Sequence, residues 1–259
     1  MISTNTIYAI ADKLNFDACG ITKISAIEDA QFYNSWLKSG YHGEMQYLER
    51  NINLKFNPTL LLPEAKSVIM LAIGYYSEKN NSLIKNSEMK ISRYALGKNY
   101  HNIIRKKLKK FQALLELKCP EIRLRPFVDT APVLERYWAK KAGIGTIGKN
   151  TCLIIPKKGS WFFLAGMLCN IDFQSSSYID KNYCGSCTKC IEACPTNAIV
   201  APYTIDARKC ISYITIEKRG NLSESQKRLN QWVWGCDICQ EVCPQNKNAT
   251  LTRTKEFDT

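Results

Sequence analysis

Cysteines in the last third of the chain carry the clearest chemical signal in the sequence. Eight of the twelve cysteines lie between residues 184 and 243, in two short runs with one cysteine between them. The first run has the spacing C-x2-C-x2-C-x3-C-P and the second the spacing C-x2-C-x3-C-P. Thiolates at such spacings hold iron–sulfur clusters, so the chain is predicted to transfer single electrons.

The cysteine that precedes proline in each run divides the eight into two ligand sets. In the bacterial ferredoxin run, three cysteines hold one cluster and the fourth, before proline, reaches the other cluster. The first [4Fe-4S] cluster is therefore predicted to be held by Cys184, Cys187, Cys190 and Cys243. The second is predicted to be held by Cys194, Cys210, Cys236 and Cys239.

Zinc binding and disulfide formation fit the cysteine pattern less well. A zinc site would show separated cysteine pairs rather than three cysteines within seven residues. Disulfides are disfavoured because residues 1–20 have no basic flank and do not resemble a secretory signal, which indicates a reducing compartment. Single cysteines in apolar segments are usually small core residues. No role is assigned to Cys19, Cys119, Cys152 and Cys169.

Composition also bears on where the chain works and what it binds. No apolar run approaches the roughly 20 residues of a membrane span, so we expect a cytoplasmic protein with no membrane partner. The formal net charge is +13, and residues 85–125 contain twelve Lys or Arg against three Glu. A strongly basic segment predicts a polyanionic partner, although an ordinary solvated helix face is an equally open interpretation.

The elements that must position these residues mix helix and strand. Apolar residues at helical spacing predict helices over residues 4–15 and 101–118, with the basic side chains of the second helix on its outer face. Continuous apolar runs predict strands over residues 66–75 and 122–128. Several of the basic residues thus lie on one face of a single helix.

A second group of elements follows Asp129. Pro132 favours a helix from Thr130 to Ala142, which would make Asp129 its N-cap. A glycine-rich turn at residues 143–150 follows, and it does not fit a dinucleotide-binding fingerprint because it comes after a helix and not after a strand. Strands over residues 152–156 and 161–169 are then predicted to form a hairpin.

The serine-rich stretch 174–177 predicts a linker between two units. Residues 1–175 are predicted to form an α/β or α+β domain. Residues 176–259 are predicted to form a ferredoxin-like domain with two [4Fe-4S] clusters. The whole chain is then of the α+β class.

Three further segments resemble a known family. They are VDTAPVLERYWAKKAGIGTIGKNTCLI (Val128 to Ile154), ISRYALGKNYH (Ile91 to His101) and WGCDICQEVCP (Trp234 to Pro244). With the ferredoxin run they resemble epoxyqueuosine reductases over nearly the whole chain. The resemblance implies a cobalamin enzyme with two [4Fe-4S] clusters that converts epoxyqueuosine to queuosine at the wobble position of tRNA. It also implies that the first unit is a cobalamin-binding catalytic domain related to nitroreductase and cobalamin-processing folds.

The resemblance assigns roles to individual residues. Asp129 matches the family's catalytic acid, which would contact the cofactor and protonate the opening epoxide oxygen. Its place at the carboxyl end of a predicted strand is where α/β folds put ligand chemistry. Neither His42 nor His101 lies in a D-x-H-x-x-G motif, so we expect no histidine ligand on cobalt. The corrin contacts carried over are Ser212, Arg219, Cys236 and Asp237.

A tRNA substrate requires cations that contact phosphates, because such contacts supply most of the nonspecific affinity. The candidates are Lys218, Arg219, Arg105, Lys106 and Lys109. The reaction also needs an external low-potential electron donor, and we expect the chain to act as a monomer.

Two other functions share part of this pattern. A reductive dehalogenase would use the same cofactors, but such enzymes usually carry an export signal and need no basic surface. A ferredoxin-type electron carrier would leave residues 1–175 without a task. Cobalamin binding by the purified protein would separate the carrier from an enzyme.

Overall fold

The computed structural model describes residues 2–179, 181–224, 226–227 and 229–258. The strands in this part of the chain are β1 (Ala18–Lys23), β2 (Ser67–Gly74), β3 (Lys90–Ile91), β4 (Leu124–Phe127), β5 (Thr146–Ile147), β6 (Leu153–Ile154), β7 (Phe162–Cys169), β8 (Ile199–Ala201), β9 (Thr204–Ile205) and β10 (Trp232–Trp234). The α-helices are α1 (Thr4–Lys13), α2 (Ala30–Lys38), α3 (Ile52–Phe56), α4 (Glu78–Asn86), α5 (Tyr100–Lys118), α6 (Glu135–Lys141), α7 (Lys189–Glu192), α8 (Ile211–Ile216) and α9 (Ile238–Glu241).

The largest sheet has four antiparallel strands in the order β1-β2-β7-β4. Gly166 of β7 lies opposite both Met70 of β2 and Phe127 of β4. A Cβ atom at Gly166 would come within 2.5 Å of the Phe127 ring and 2.7 Å of the Ile69 carbonyl oxygen. Glycine at this position therefore lets the three neighbouring strands pack at normal spacing.

Helices cover both faces of the sheet, and this explains why the sequence of β2 is apolar throughout. Its alternate residues Ile69, Leu71 and Ile73 pack in one core with α1 and α5. The intervening residues Val68, Met70 and Ala72 pack in a second core with α6. Successive side chains of a strand point to opposite faces, so a strand between two helical layers must be apolar at every position.

Four elements predicted from periodicity are confirmed. The helices predicted over residues 4–15 and 101–118 correspond to α1 and α5. The strands predicted over residues 66–75 and 122–128 correspond to β2 and β4. The mixture of helices and sheet agrees with the expected class, but the central sheet is antiparallel. The rule that ligands gather at the carboxyl ends of parallel strands therefore gives no reason for the place of Asp129.

The helix predicted from Thr130 to Ala142 is wrong at its start. Helix α6 begins at Glu135, and the preceding residues form tight turns in which Val133 N–H donates to the Ala131 carbonyl. Proline disfavours helical geometry at the residue before it, so Pro132 keeps Ala131 out of the helix. Asp129 is therefore not the N-cap of α6.

The hairpin predicted over residues 152–156 and 161–169 is also wrong. β6 pairs with β5, whereas β7 belongs to the central sheet and pairs with β2 and β4. A single bridge between Ile155 and Gly159 closes the intervening loop. The apolar length of β7 suits an inner strand of a large sheet better than half of a short exposed hairpin.

The cysteine-rich part contacts the first part at several points. β10 pairs in parallel with β3, and the predicted linker is held against β1, since Ser176 Oγ accepts the Ile21 N–H at 2.8 Å. Phe257 near the end of the chain is buried in the core formed by α1, α5 and the sheet. The division into residues 1–175 and 176–259 stays a prediction. It also covers residues 1, 180, 225, 228 and 259, which lie outside the described ranges. No helix in the described ranges is long and apolar enough to cross a membrane.

Candidate active site and cluster-binding loops

The two cysteine runs form loops of nearly the same backbone conformation. Each run contains a one-turn helix, α7 with Cys190 and α9 with Cys239. The residues before these helices, Thr188 and Asp237, have φ and ψ of −123° and 5° and of −109° and 1°. Both helices end on a residue with φ −79° and ψ −8°, followed by cysteine and proline. The repeat seen in the spacing is thus also a repeat in structure.

The donor atoms in these loops fit iron–sulfur clusters. Ala198 N–H donates to Cys194 Sγ at 3.2 Å, and Lys149 N–H donates to Cys184 Sγ at 3.4 Å. Hydrogen bonds to the sulfurs are among the features that set cluster potentials. In the described ranges, no three His, Cys, Asp or Glu residues form a group that could hold a metal ion. Each cysteine of a four-iron cluster binds a different iron, so such convergence is not required, and the ligand sets stay a prediction.

A cavity of about 1860 Å³ lies between the first part of the chain and the cysteine-rich part. Ligand pockets usually have volumes of about 300–1,000 Å³, so this cavity has room for a large cofactor and part of a substrate. The first part supplies a wall that contains Tyr94, Tyr100, His101, Asp129 and Glu135. The cysteine-rich part contributes Ile205, Ile216, Glu217 and Trp234 to the lining.

Asp129 lies in the cavity wall with its backbone in the left-handed region, at φ 55°. Its N–H donates to Glu135 Oε1 at 2.6 Å. Its Oδ2 lies 2.8 Å from His101 Nε2, and 52% of the Asp129 side chain is exposed. Two side chains therefore hold the backbone and the carboxyl group separately, while the carboxyl group stays open to the cavity.

The neighbours of Asp129 have shifted acidities. Burial raises the pKa of Glu135 to about 8, helped by the negative charge of Asp129 and opposed by the Asp129 N–H bond. Burial and the charge of Asp129 also raise the pKa of the Tyr100 hydroxyl, whose ring stacks between His101 and Phe163. Glu135 is thus largely protonated at neutral pH, whereas Tyr100, which is protonated there in any case, keeps its proton to higher pH than usual.

A smaller cavity of about 370 Å³ also touches Asp129. It extends to Cys152 and to Gln240, the neighbour of the predicted cluster ligand Cys239. Cys152, to which no role was assigned, lies near Cys239, and their interaction lowers the pKa of the Cys152 thiol and raises that of the Cys239 thiol. Asp129 therefore faces space on both sides, towards the large cavity and towards one cluster loop.

The corrin contacts that the family resemblance implies do not line the large cavity, in contrast to Asp129. Ser212, Arg219, Cys236 and Asp237 are not among the residues that line the large cavity. Asp237 is buried, where it accepts from Ser92 Oγ, from the Arg93 N–H and from the Arg93 guanidinium. Asp237 therefore organises the loop around Arg93, and a corrin contact by these four residues stays a prediction.

The predicted tRNA contacts fall into two groups. Lys218 forms an ion pair with Glu44, whose other oxygen accepts the Arg219 backbone N–H, so the Lys218 ammonium is already paired while the Arg219 side chain stays exposed. On α5, Arg105, Lys106 and Lys109 are exposed on the side opposite the core. A third group, the cations that line the large cavity, was not predicted from the sequence. They are Arg50, Lys55, Lys98, Arg136, Lys140 and Lys181.

Comparison with known proteins adds a second line of evidence. The family model described as "Epoxyqueuosine reductase QueG, DUF1730" matches residues 55–130, and the model described as "4Fe-4S double cluster binding domain" matches residues 183–246. An epoxyqueuosine reductase from Cyclobacterium marinum is 43% identical over 256 residues, which are 98% of this chain and 82% of that protein. This chain belongs to the epoxyqueuosine reductase family. An epoxyqueuosine reductase from Vibrio cholerae is 40% identical over 98% of this chain and 69% of its own length.

Solved epoxyqueuosine reductases have the same fold. One, in complex with an epoxyqueuosine-modified tRNA stem loop, has a TM-score of 0.87 and 32% identity over 98% of this chain and 68% of that chain. Another, from Bacillus subtilis, has its catalytic aspartate loop swung out of the active site and a TM-score of 0.85 at 30% identity. A catabolic reductive dehalogenase has a TM-score of 0.57 at 15% identity, which shows a shared fold alone.

Proposed function

We propose that this chain reduces epoxyqueuosine in tRNA to queuosine. The reaction takes up two electrons and two protons, converts the epoxide to an alkene and releases water. The observation that carries the proposal is the position of Asp129, an accessible carboxyl group in a large cavity that also approaches the cysteine loops. A proton donor and a route for electrons thus meet at one place.

Cobalamin is the cofactor that the cavity fits best. The volume of the large cavity exceeds that of an ordinary small-molecule pocket. The walls of the cavity are formed by aromatic side chains together with Ala95 and Gly97, which leave the backbone accessible. Trp234 Nε1 donates to the Tyr94 hydroxyl at 3.1 Å across the two parts of the chain. Tyr94, Ala95, Gly97 and Trp234 would hold the corrin. When bound, cobalamin would supply a cobalt centre that changes oxidation state by one or two electrons.

Neither histidine presents an unpaired Nε2 to the large cavity. The chain has two histidines. His101 lines the cavity but its Nε2 is bonded to Asp129, and His42 is paired with Glu49 away from the cavity wall. This supports the expectation of a cofactor without a histidine ligand.

Asp129 acts as the general acid in this proposal. A carboxyl group within hydrogen-bond reach of the epoxide oxygen gives it a proton as the carbon–oxygen bond breaks. The carboxylate that remains accepts from His101 Nε2–H. Glu135 keeps the Asp129 backbone in place during the exchange, because it accepts the Asp129 N–H.

The anticodon loop of the tRNA is proposed to bind at the mouth of the large cavity. Cations lie there beside exposed aromatic side chains, among them Arg50, Lys140 and Lys181 with Tyr47 and Tyr178. Cations contact phosphates, and unstacked bases of single-stranded RNA stack on aromatic rings. The exposed cations of α5 are a second candidate surface for the tRNA backbone. We further propose that the chain acts as a cytoplasmic monomer and receives electrons from a separate low-potential donor.

The proposal is tested with anaerobic protein that has been reconstituted with iron, sulfide and cobalamin. The protein is reduced with a low-potential chemical reductant and mixed with an anticodon stem-loop that contains epoxyqueuosine. We expect a nucleoside with one oxygen fewer, and none when cobalamin is omitted. A bromophenol serves as the control substrate and should release no bromide. Absence of deoxygenation with spectroscopically reduced clusters and cobalamin would contradict the proposal.

A further inference from the structure

The glycine-rich turn at residues 143–150 ends on two residues that reach the two cysteine loops. Lys149 Nζ donates to the carbonyl oxygens of Gly185 at 2.8 Å and of Cys187 at 2.9 Å. Asn150 Nδ2 donates to the Cys239 carbonyl oxygen at 3.2 Å. Neighbouring residues of one turn therefore contact the loop of the first ligand set and the loop of the second.

All polar groups of Lys149 are bonded within the protein, and its N–H and ammonium group bind the first cysteine loop. Its N–H donates to Cys184 Sγ at 3.4 Å, and its carbonyl oxygen accepts the Tyr203 N–H at 3.0 Å. The residue is 9% exposed. The ammonium group is thus held inside the segment between two predicted cluster ligands, and it is not a solvated surface charge.

The charge of this ammonium has no protein counter-charge in the part of the chain that the structure describes. Both of its hydrogen-bond acceptors are neutral carbonyl groups, and no described carboxylate lies within 4.0 Å of it. A buried charge is costly unless an opposite charge compensates it. The site therefore calls for an anionic group beside residues 184–187.

The second loop differs in this respect. A buried cation that binds this loop, Arg93, is paired with Asp237 at 2.9 Å and with Glu241 at 2.7 Å. Two carboxylates thus compensate the charge of Arg93. The asymmetry between the loops indicates that the first loop, unlike the second, places an uncompensated positive charge at its cluster.

We propose that Lys149 is the counter-charge of the cluster held by Cys184, Cys187, Cys190 and Cys243, and that it raises the reduction potential of this cluster. On reduction, the oxidised cluster takes one electron from the reductant and no bond is formed or broken. Its total charge with four thiolates changes from about −2 to about −3. A fixed positive charge stabilises the more negative state and so favours uptake of the electron.

The inference rests on the assignment of two clusters and not on the substrate. It is tested by voltammetry and iron analysis of reconstituted protein without cobalamin or tRNA, so that failure of the proposed deoxygenation leaves this test unaffected. Lys149→Gln removes the charge but keeps a donor for the carbonyl groups. Lys149→Arg keeps the charge. Lys157→Gln removes an exposed lysine from the nearby loop as a matched control.

We expect the Lys149→Gln protein to retain about eight irons, with one of its two reduction waves shifted to lower potential, while the Lys149→Arg and Lys157→Gln proteins resemble the wild type. Loss of one cluster from Lys149→Gln but not from Lys149→Arg would also support a counter-charge, since Lys149→Arg keeps the positive charge that Lys149→Gln removes. Unchanged potentials in Lys149→Gln would overturn the proposal. So would an equal shift or an equal loss of iron in Lys149→Gln and Lys149→Arg.

Discussion

At Asp129 the backbone and the side chain are each held by a different neighbour. Left-handed geometry is uncommon for residues other than glycine, although aspartate and asparagine tolerate it better than most. The hydrogen bond from the Asp129 N–H to Glu135 stabilises this geometry, and His101 orients the carboxyl group. The bond to Glu135 joins the two ends of the turn before α6, a connection that the spacing of the sequence does not reveal.

The raised pKa of Glu135 predicts that stability depends on pH in a definite direction. The folded state holds the Glu135 proton up to about pH 8, whereas the unfolded chain releases it near pH 4. The stabilisation is therefore complete below the unfolded pKa and is lost as pH rises through the folded value. Relative to Glu135→Gln, which is neutral at every pH and can still accept the Asp129 N–H, the wild-type melting temperature should fall from about pH 5 to pH 8.

The comparison isolates Glu135, because Asp129, Arg136 and His101 are present in both proteins. It is made anaerobically by calorimetry on cluster-loaded protein across that pH range. If the melting temperatures of the two proteins changed with pH in parallel, Glu135 would ionise normally and be hydrated in the folded state.

At the scale of elements, local sequence patterns correctly predicted those helices and strands whose formation depends on residues close together in the chain. The periodicity of α5 and the apolar run of β2 were sufficient to predict these two elements. The first pattern reflects burial of one helix face, and the second reflects burial of both strand faces. The start of α6 was missed because the restriction that Pro132 places on Ala131 outweighed the cap signal at Asp129. The false hairpin arose because an apolar run does not specify its partner, and β7 pairs with distant strands.

The position of Cys210 supports a prediction about the second cluster. Cys210 immediately precedes α8, apart from both cysteine runs, and its only proposed role is to complete the second ligand set. Cys210→Ala should lower the iron content from about eight to about four per chain, because three thiolates remain for one cluster. Cys119→Ala, at a buried cysteine outside the motifs, is the control and should keep both clusters. Iron content and absorption like those of wild type in Cys210→Ala would show that another residue is the ligand.

At the scale of the whole molecule, the cysteine ligands could be predicted from the sequence, whereas the large cavity could not. Most of the cluster ligands are close in sequence, so their spacing alone predicts the chemistry. The cavity wall brings together residues near positions 50, 100, 130, 180, 205 and 234, which no local pattern connects. Asp129 was found only through the family resemblance, and the cations of the cavity were missed because they are dispersed along the chain.

The basic cavity mouth predicts a strong dependence of tRNA binding on salt. Lys140→Gln with Lys181→Gln should weaken binding to the stem-loop and reduce the slope of log affinity against log salt by roughly 1–2, because two phosphate contacts are lost. The double variant Lys106→Gln with Lys109→Gln removes the same charge from α5 and should also reduce the slope. Fluorescence anisotropy at several salt concentrations measures both. An unchanged slope for either pair would remove that surface from the interface.

The most direct test of the proposed reaction is single-turnover deoxygenation by Asp129→Asn, with pre-reduced protein and an epoxyqueuosine-containing stem-loop. Asparagine keeps the shape of the side chain and tolerates the left-handed backbone, but it has no carboxylic proton to donate. Iron content and cobalamin binding should therefore match those of wild type. The rate should fall by on the order of 10² to 10⁴, the usual contribution of general acid catalysis. A rate within a few-fold of wild type would contradict the assignment of Asp129 as the acid.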